Sequence, residues 1–356
     1  MQNPALIAHK PSQLSAEPTA LSYVRGSETE STIRALVKGE YVRIDEFYSN
    51  GLTLLSELQD FLHQKHPGQG FSEQRAYRAE YQLLSNRVLL EVNQSKLVVK
   101  KGPTIGWLEK LYPASGDFLL TFPQIQGLNS AWQWYTNGIV IPVLRNKVHP
   151  YYGVYFPTRF EHLVLFDNWL KRYNGPKKTA MDIGIGSGIL SLMLVKHGFQ
   201  KSFGTDTNPN AIIGLESWLT GCKMARKIEL DYNSLFGKWI KPTELIVFNP
   251  PWLPTSSALN RLDEAIYYPE TLFPDFFKEA KERLLPDGRI VLLFSNLAQR
   301  TGVTKDHPIV TELESGNRYI IDRCLKKKVT ASSDKTKRNQ HWRAQEEVEL
   351  WVLMHK

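Results

Sequence analysis

The feature that most constrains this 356-residue chain is a regular alternation of short apolar runs and helix-patterned stretches between Thr179 and Phe294. Thr179 to Ile183, Phe203 to Asp206, Ile228 to Leu230, Leu245 to Phe248 and Arg289 to Phe294 read as buried strands. Ile189 to Lys196, Pro209 to Leu219 and Phe273 to Leu285 carry helical spacing between them. A helix from Thr158, with Phe160, Leu163, Val164, Phe166 and Leu170 on its apolar positions, precedes the first strand. Strands that alternate with helices form a parallel sheet covered on both faces. The tail breaks the rhythm: Arg318 to Val329 and Glu347 to Leu353 are strand-like runs around the polar segment 330–345, which predicts an antiparallel hairpin at the sheet edge. The expected fold is α/β and doubly wound.

Open sheets of this kind bind ligands beyond the carboxyl ends of their strands. Three such ends here carry chemistry. Asp182-Ile183-Gly184-Ile185-Gly186-Ser187-Gly188 lies between a strand and a helix, where glycines permit a tight turn and close backbone approach. Its third glycine stands one position too early for a dinucleotide fingerprint, which counts against a nicotinamide-dependent oxidoreductase. Asp206 ends the next strand and is placed to accept both hydrogen bonds of a ribose diol, or else to cap the helix at Pro209. Asn249-Pro250-Pro251-Trp252 closes the fourth strand. Prolines cannot donate to a ladder, so the strand must stop there as a rigid corner.

Upstream of the alternation the pattern changes. Residues 1–26, polar and holding Pro4, Pro11 and Pro18, read as a flexible arm. Residues 27–94 read as a helical domain, with Leu54, Leu55, Leu58, Phe61 and Leu62 on one face and Tyr77, Tyr81, Leu84 and Val88 continuing the spacing. His63 and His66 share a helical turn there but lack further metal-ligand spacing, so no metal is expected. Residues 95–156 read as a β-rich linker, with a hairpin over Gly138 to Val143 and His149 to Phe156. Its dense aromatics, Trp107, Trp132, Trp134, Tyr135, Tyr151, Tyr152, Tyr155 and Phe156, suggest core, with some rings available to a substrate pocket. The last domain spans 157–356.

Composition narrows the class. With 42% hydrophobic and 22% charged residues, the chain can bury a sizeable core. No run of apolar residues is long enough to span a bilayer, the N-terminus lacks a signal-peptide core, and the two cysteines suggest no disulfide framework; a cytoplasmic location and no membrane partner are expected. The net charge of +8 is crowded late, in Lys326, Lys327, Lys328, Lys335, Lys337, Arg338 and Arg343. A basic segment over 326–343 fits a ribosome or RNA contact, or a solvated face.

The three motifs, in this order and spacing, resemble those of the class I S-adenosylmethionine-dependent methyltransferases, more narrowly the HemK-type and adenine-methylating branch that acts on planar amide or amino nitrogens. Gly153 to Glu161 is similar to the segment before the HemK-type core, although that family's Pro-Arg-Pro-acid-Thr-Glu pattern is not reproduced. The resemblance implies a seven-stranded sheet and S-adenosylmethionine as cofactor. It implies that Asp182, Gly184, Gly186 and Gly188 form the turn around the methionine part and that Asp206 holds the ribose. Asn233, Ser234 or Asp231 would face the adenine, since Ser234 stands where an acid is usual, and Thr158 would lie over the cofactor. Asn249 and the Pro250 carbonyl would accept the N–H groups of the acceptor, Trp252 would stack on its plane, and Pro251 and Phe156 would line the acceptor pocket. The acceptor is expected to be a protein glutamine, with adenine in RNA or DNA, or a small amine, as alternatives. A catalytically silent binding module on the same fold is the competing reading.

Overall fold

A computed structural model describes residues 6–14, 19–68, 71–113, 115–255, 266–329 and 346–356. The chain divides into two compact units, Lys10–Asn137 and a second made of Gly138–Lys356 with the N-terminal residues to His9.

The first unit is built on a five-stranded sheet. Strand β1 (Ala20–Tyr23) runs parallel to β2 (Tyr41–Ile44), and β2 to β3 (Val88–Asn93). β3 pairs antiparallel with β4 (Lys96–Leu97) and β5 (Phe118–Thr121). Helices α1 (Thr29–Lys38), α2 (Tyr48–Lys65), α3 (Phe71–Ser85), α4 (Gly106–Leu111) and α5 (Phe122–Asn137) complete it. Three expectations need correction here. The described part of the 1–26 arm is tied into the fold: β1 joins the sheet and Leu14 bridges Leu119. β1 shows no apolar period because its pairing is made by backbone groups. The 27–94 region is not helical throughout, since it holds β2 and β3; the fully buried run Val88-Leu89-Leu90 has no period of its own and merges with the helical spacing before it. The 95–156 region is not a β-rich linker either. Phe122, Ile125 and Leu128 are buried on α5, and Pro123 is tolerated because it lies in the helix's first turn. Trp132, Trp134 and Tyr135 thus stand on a helix. His63 stacks on Tyr77 at 4.4 Å and His66 bonds Glu80 at 2.8 Å, so both imidazoles serve the α2–α3 contact.

The second unit carries a seven-stranded sheet. In chain order its elements are α6 (Glu161–Leu170), β6 (Thr179–Ile183), α7 (Ile189–Lys196), β7 (Lys201–Asp206), α8 (Pro209–Leu219), β8 (Ile228–Tyr232), β9 (Thr243–Phe248), β10 (Leu253–Pro254), β11 (Tyr267–Tyr268), α9 (Leu272–Arg283), β12 (Leu284–Ser295), β13 (Tyr319–Lys328) and β14 (Glu347–His355). The spatial order is β13-β14-β12-β9-β6-β7-β8. The five strands from β12 to β8 are parallel, while β14 is antiparallel to both β12 and β13. Every residue of β9 is buried, as a central strand covered on both faces requires. One core packs Phe166, Met193 and Leu194 against Val247 and Val291; the other packs Phe276, Phe277 and Tyr319 against Ile246 and Leu292. The expected hairpin over 138–156 reduces to one antiparallel bridge, Ile139 to Val148. Pro142 lacks the N–H that a longer ladder there would use. The 330–345 part of the basic segment lies outside the described residues. No helix among the described residues is long and apolar enough to cross a membrane.

Candidate active site

The chain order reverses between β6 and β9, and ligands of doubly wound sheets collect at such a switch point. The register pairs Ile183 with Phe248, so Gly184 and Asn249 are the first residues past the same edge of neighbouring strands. Asp206 ends β7 on the other side of β6.

Between β6 and α7, Gly184, Gly186 and Gly188 take φ values of 64°, 50° and 79°, a left-handed backbone that disfavours any side chain. Their surroundings separate them. A Cβ on Gly184 or Gly186 would meet nothing nearer than 3.6 Å, whereas on Gly188 it would stand 2.7 Å from the Leu215 side chain. The first two glycines therefore leave an open cradle, and the third lets α7 pack on α8. The loop is tied to β7 by the Ile185 N–H, which donates to the Thr205 carbonyl at 2.8 Å.

Asp206 accepts the Gly186 N–H and the Asn208 N–H, both at 2.8 Å, one on each carboxylate oxygen. The capping role open to Asp206 belongs instead to Asn208, whose side chain accepts from the Asn210 N–H. Asn210, buried, holds both backbone groups of His9 and the Tyr152 carbonyl. Sequence reasoning had no access to that clasp, because its partners are far apart in the chain.

Asp182 is fully buried. Its Oδ2 accepts the Ser191 N–H at 2.8 Å and hydroxyl at 2.7 Å, which fastens the first turn of α7; its Oδ1 has no hydrogen-bond partner among the described residues. Burial pushes its carboxyl up to about 7 against the lowering effect of the Ser191 bonds, with the Asp206 charge adding to the rise. Asp182 thus holds the glycine turn from behind.

Near the end of β8, Asp231 is committed: it accepts the Lys238 N–H at 3.0 Å and pairs with the Lys238 ammonium at 3.4 Å. Asn233 and Ser234 remain exposed on that tight loop, whose Asn233 N–H bonds the Asp206 carbonyl. Thr158 is exposed, and Phe156 is half-buried against the Leu163, Ile189 and Val291 cluster. Arg159 pairs with the buried Glu346, which also accepts from the Ser295 hydroxyl.

At the corner, Pro250 is buried, while Asn249, Pro251 and Trp252 are half-buried. The Asn249 Oδ1 is buried and has no hydrogen-bond partner among the described residues. The Trp252 indole N–H donates to the Leu293 carbonyl at 3.3 Å, one residue past the last β9–β12 pair. Its ring stands edge-on to His162, 5.7 Å between centroids at 89°. His162, in the first turn of α6, is 3% exposed, and burial drops its imidazole to about 4. It was missed in the sequence because nothing local marks a histidine in an otherwise apolar helix face. Among the described residues no group of three or more His, Cys, Asp or Glu side chains could hold a metal ion.

The open cradle and the part-exposed acid beside it fit an S-adenosylmethionine molecule, with a backbone turn for its amino-acid portion and a carboxylate for its diol. Comparison with known proteins agrees. Residues 164–249, from α6 through the glycine turn to Asn249, match the model of the ribosomal protein L11 methyltransferase (PrmA) family. The "Putative protein N5-glutamine methyltransferase" of Methanocaldococcus jannaschii is 28% identical over 192 residues, 51% of this chain and 92% of that protein. A ribosomal protein L11 methyltransferase of Lachnospira eligens is 47% identical over 47 residues, 13% of this chain and 15% of that one. The ribosomal protein L11 methylase structure from Lactobacillus delbrueckii subsp. bulgaricus aligns with a TM-score of 0.39 at 18% identity, covering 60% of this chain and 86% of that chain. The sequence match through the glycine turn and the geometry it encloses converge: the chain is an S-adenosylmethionine-dependent methyltransferase.

Proposed function

We propose that the enzyme methylates a planar amide or amino nitrogen, and that its acceptor is the side-chain amide of a protein glutamine. The observation that carries this reading is the Asn249 Oδ1, a desolvated acceptor atom without a partner among the described residues, at the end of β9 beside the glycine turn. An unpaired buried polar atom costs about 1–3 kcal/mol, which a fold retains where a ligand supplies the missing bond. A half-turn about the last side-chain bond of Asn249 exchanges its oxygen and NH2, so the amide can present its oxygen to a bound group.

The bound cofactor supplies an electrophilic sulfonium methyl. In this reading Gly184 and Gly186 face its methionine part, Asp206 accepts its ribose hydroxyls, Asn233 and Ser234 lie nearest its adenine, and Thr158 covers it. Asn249 and the Pro250 carbonyl each accept one N–H of the acceptor. The nitrogen lone pair, otherwise delocalised, would then leave the amide plane toward the methyl; the N–C bond would form as the S–C bond breaks, the thioether product would leave, and one N–H proton would be released to solvent. Pro251, Phe156 and the Trp252 ring confine the planar group. Positioning and fixed dipoles carry the catalysis. The unit of residues 10–137 would recognise the protein that brings the glutamine, and a translational substrate would place the reaction in the cytoplasm. Similarity to a protein named for N5-glutamine methylation supports the choice of acceptor.

Exposed Lys327 and Lys328 at the end of β13 keep an RNA acceptor, through adenine, as the second reading; Lys326 is already spent on Glu349 at 2.8 Å. Transfer of labelled methyl from S-adenosylmethionine into fractionated lysate, with and without RNase, separates the two. Label in RNase-resistant protein is expected, and label lost with RNase overturns the glutamine assignment. Asn249→Ala should abolish transfer while calorimetry shows cofactor binding nearly intact; loss of binding with retained transfer would refute the role given to Asn249.

A further inference from the structure

His162 is the other polar side chain at this corner that the fold buries without satisfying. Its ring is 3% exposed, its Nδ1 has no hydrogen-bond partner among the described residues, and it meets the Trp252 ring edge-on. We infer that His162 donates a hydrogen bond to the carbonyl oxygen of the acceptor amide, so that the site recognises a carboxamide and rejects a simple amine. The inference rests on the amide reading above and adds the group that would tell an amide from an amine.

A primary carboxamide carries two N–H donors and one carbonyl acceptor. With both N–H groups taken by Asn249 and Pro250, the carbonyl still needs a donor once the corner is closed to water. The corner offers few. Pro250 and Pro251 have no N–H, and the Trp252 indole N–H is spent on Leu293. Among the described residues, His162 is a polar side chain packed on the Trp252 ring. A neutral imidazole carries one N–H, free to sit on either nitrogen. Burial holds His162 neutral at physiological pH, with Glu161 opposing that effect only in part. A protonated ring there would repel the sulfonium; a neutral one can donate without adding charge. An amine lacking a neighbouring acceptor atom would leave this N–H unpaired, and sites built around a buried donor reject such analogues strongly.

Edge-on packing against Trp252 would alone explain a ring at this position, so the test separates ring from donor. His162→Phe keeps an aromatic edge and removes the N–H; His162→Asn restores a donor of similar reach. Full-length enzyme is assayed with a glutaminyl peptide and with the matching ornithinyl peptide, and calorimetry follows S-adenosylmethionine. The phenylalanine variant is expected to lose about 10-fold or more in kcat/KM for the glutaminyl peptide, the cost of one buried unpaired partner, with partial recovery in the asparagine variant. Cofactor affinity should be unchanged in both. In histidine labelled with 15N, the signal missing from His162→Phe should shift on adding glutaminyl peptide to the S-adenosylhomocysteine-bound enzyme, and not with ornithinyl peptide. Equal activity of wild type and His162→Phe, or equal response to both peptides, overturns the donor role and leaves the amide reading standing. A wild-type enzyme that binds cofactor yet neither binds nor methylates the glutaminyl peptide overturns the amide reading itself, and the inference with it.

Discussion

Replacing Asp182 by Asn should make the methyltransferase unit more stable, modestly near pH 5 and by a larger margin above neutral pH. Asp182 is fully buried with one oxygen bonded twice to Ser191 and the other unpartnered, and its carboxyl is raised from 3.8 to about 7. The sign follows from that direction. A carboxyl raised by folding favours the protonated form in the native state, so its contribution is present in full below the unfolded value and is lost as pH climbs through the folded one. At about 1.4 kcal/mol per pH unit over that window, ionisation costs the fold about 4 kcal/mol at pH 8.5, and somewhat less than half of that already by pH 5. Asparagine keeps an acceptor for the Ser191 N–H and hydroxyl and never ionises. The difference in unfolding free energy between variant and wild type, from urea transitions of cofactor-free protein, should therefore swing toward the variant by about 2–3 kcal/mol from pH 5 to 8.5. Groups with their own pH dependence, such as Glu349, held at about 2 by His307, Lys326 and Trp351, are common to both proteins and cancel in the difference. A flat difference curve, or one favouring wild type at high pH, would show that Asp182 is not held protonated by its surroundings.

Asp206→Ala should weaken S-adenosylmethionine binding by about 10- to 100-fold, the value of one or two bonds to a charged acceptor, in calorimetry at fixed salt. Gly188→Ala should cost about 2 kcal/mol or more in thermal unfolding, because the left-handed backbone and the Leu215 side chain 2.7 Å away both oppose a methyl there. Unchanged melting would mean that the α7–α8 contact relaxes freely. Trp252→Phe keeps a flat ring but drops the bond to Leu293, and should raise KM for the acceptor more than it lowers kcat; the reverse pattern would make the indole part of the chemistry.

The methyltransferase sheet was legible where its signals are local. Strands β6 and β9 are short, largely apolar runs and β7 centres on Phe203; they are ended by glycine, proline and acid, and each stop signal lies within a few residues of the element that it ends. The sheet of the first unit gave no such signal. β1 and β2 are four residues each, and their pairing depends on backbone groups that any side chain can accompany. The same contrast runs through the site. The three glycines, Asp206 and Asn249 stand where the strand pattern placed them, at the ends of β6, β7 and β9, but the commitment of Asp231 to Lys238, the capture of His9 by Asn210 and the seat of Trp252 between Leu293 and His162 are tertiary facts.

Why these particular residues act together follows from one register. β6 and β9 are parallel and pair Ile183 with Phe248, so the residues that leave them do so at the same height, about one strand spacing apart. On one side the chain must turn back sharply into α7, which calls for glycines and opens a cradle for the methyl carrier. On the other side two prolines forbid further pairing and fix the direction of Asn249. On the proposed reading, a cofactor in the cradle and an acceptor on Asn249 would meet without any large motion of the sheet, since both would be positioned by strand ends that the core already holds rigid. A shift of one residue in this register would send Asn249 to the opposite face and separate the two halves of the reaction. The wholly buried β9 opposes that slip, which ties the position of Asn249, and with it the proposed seat of the acceptor nitrogen, to the packing of the core.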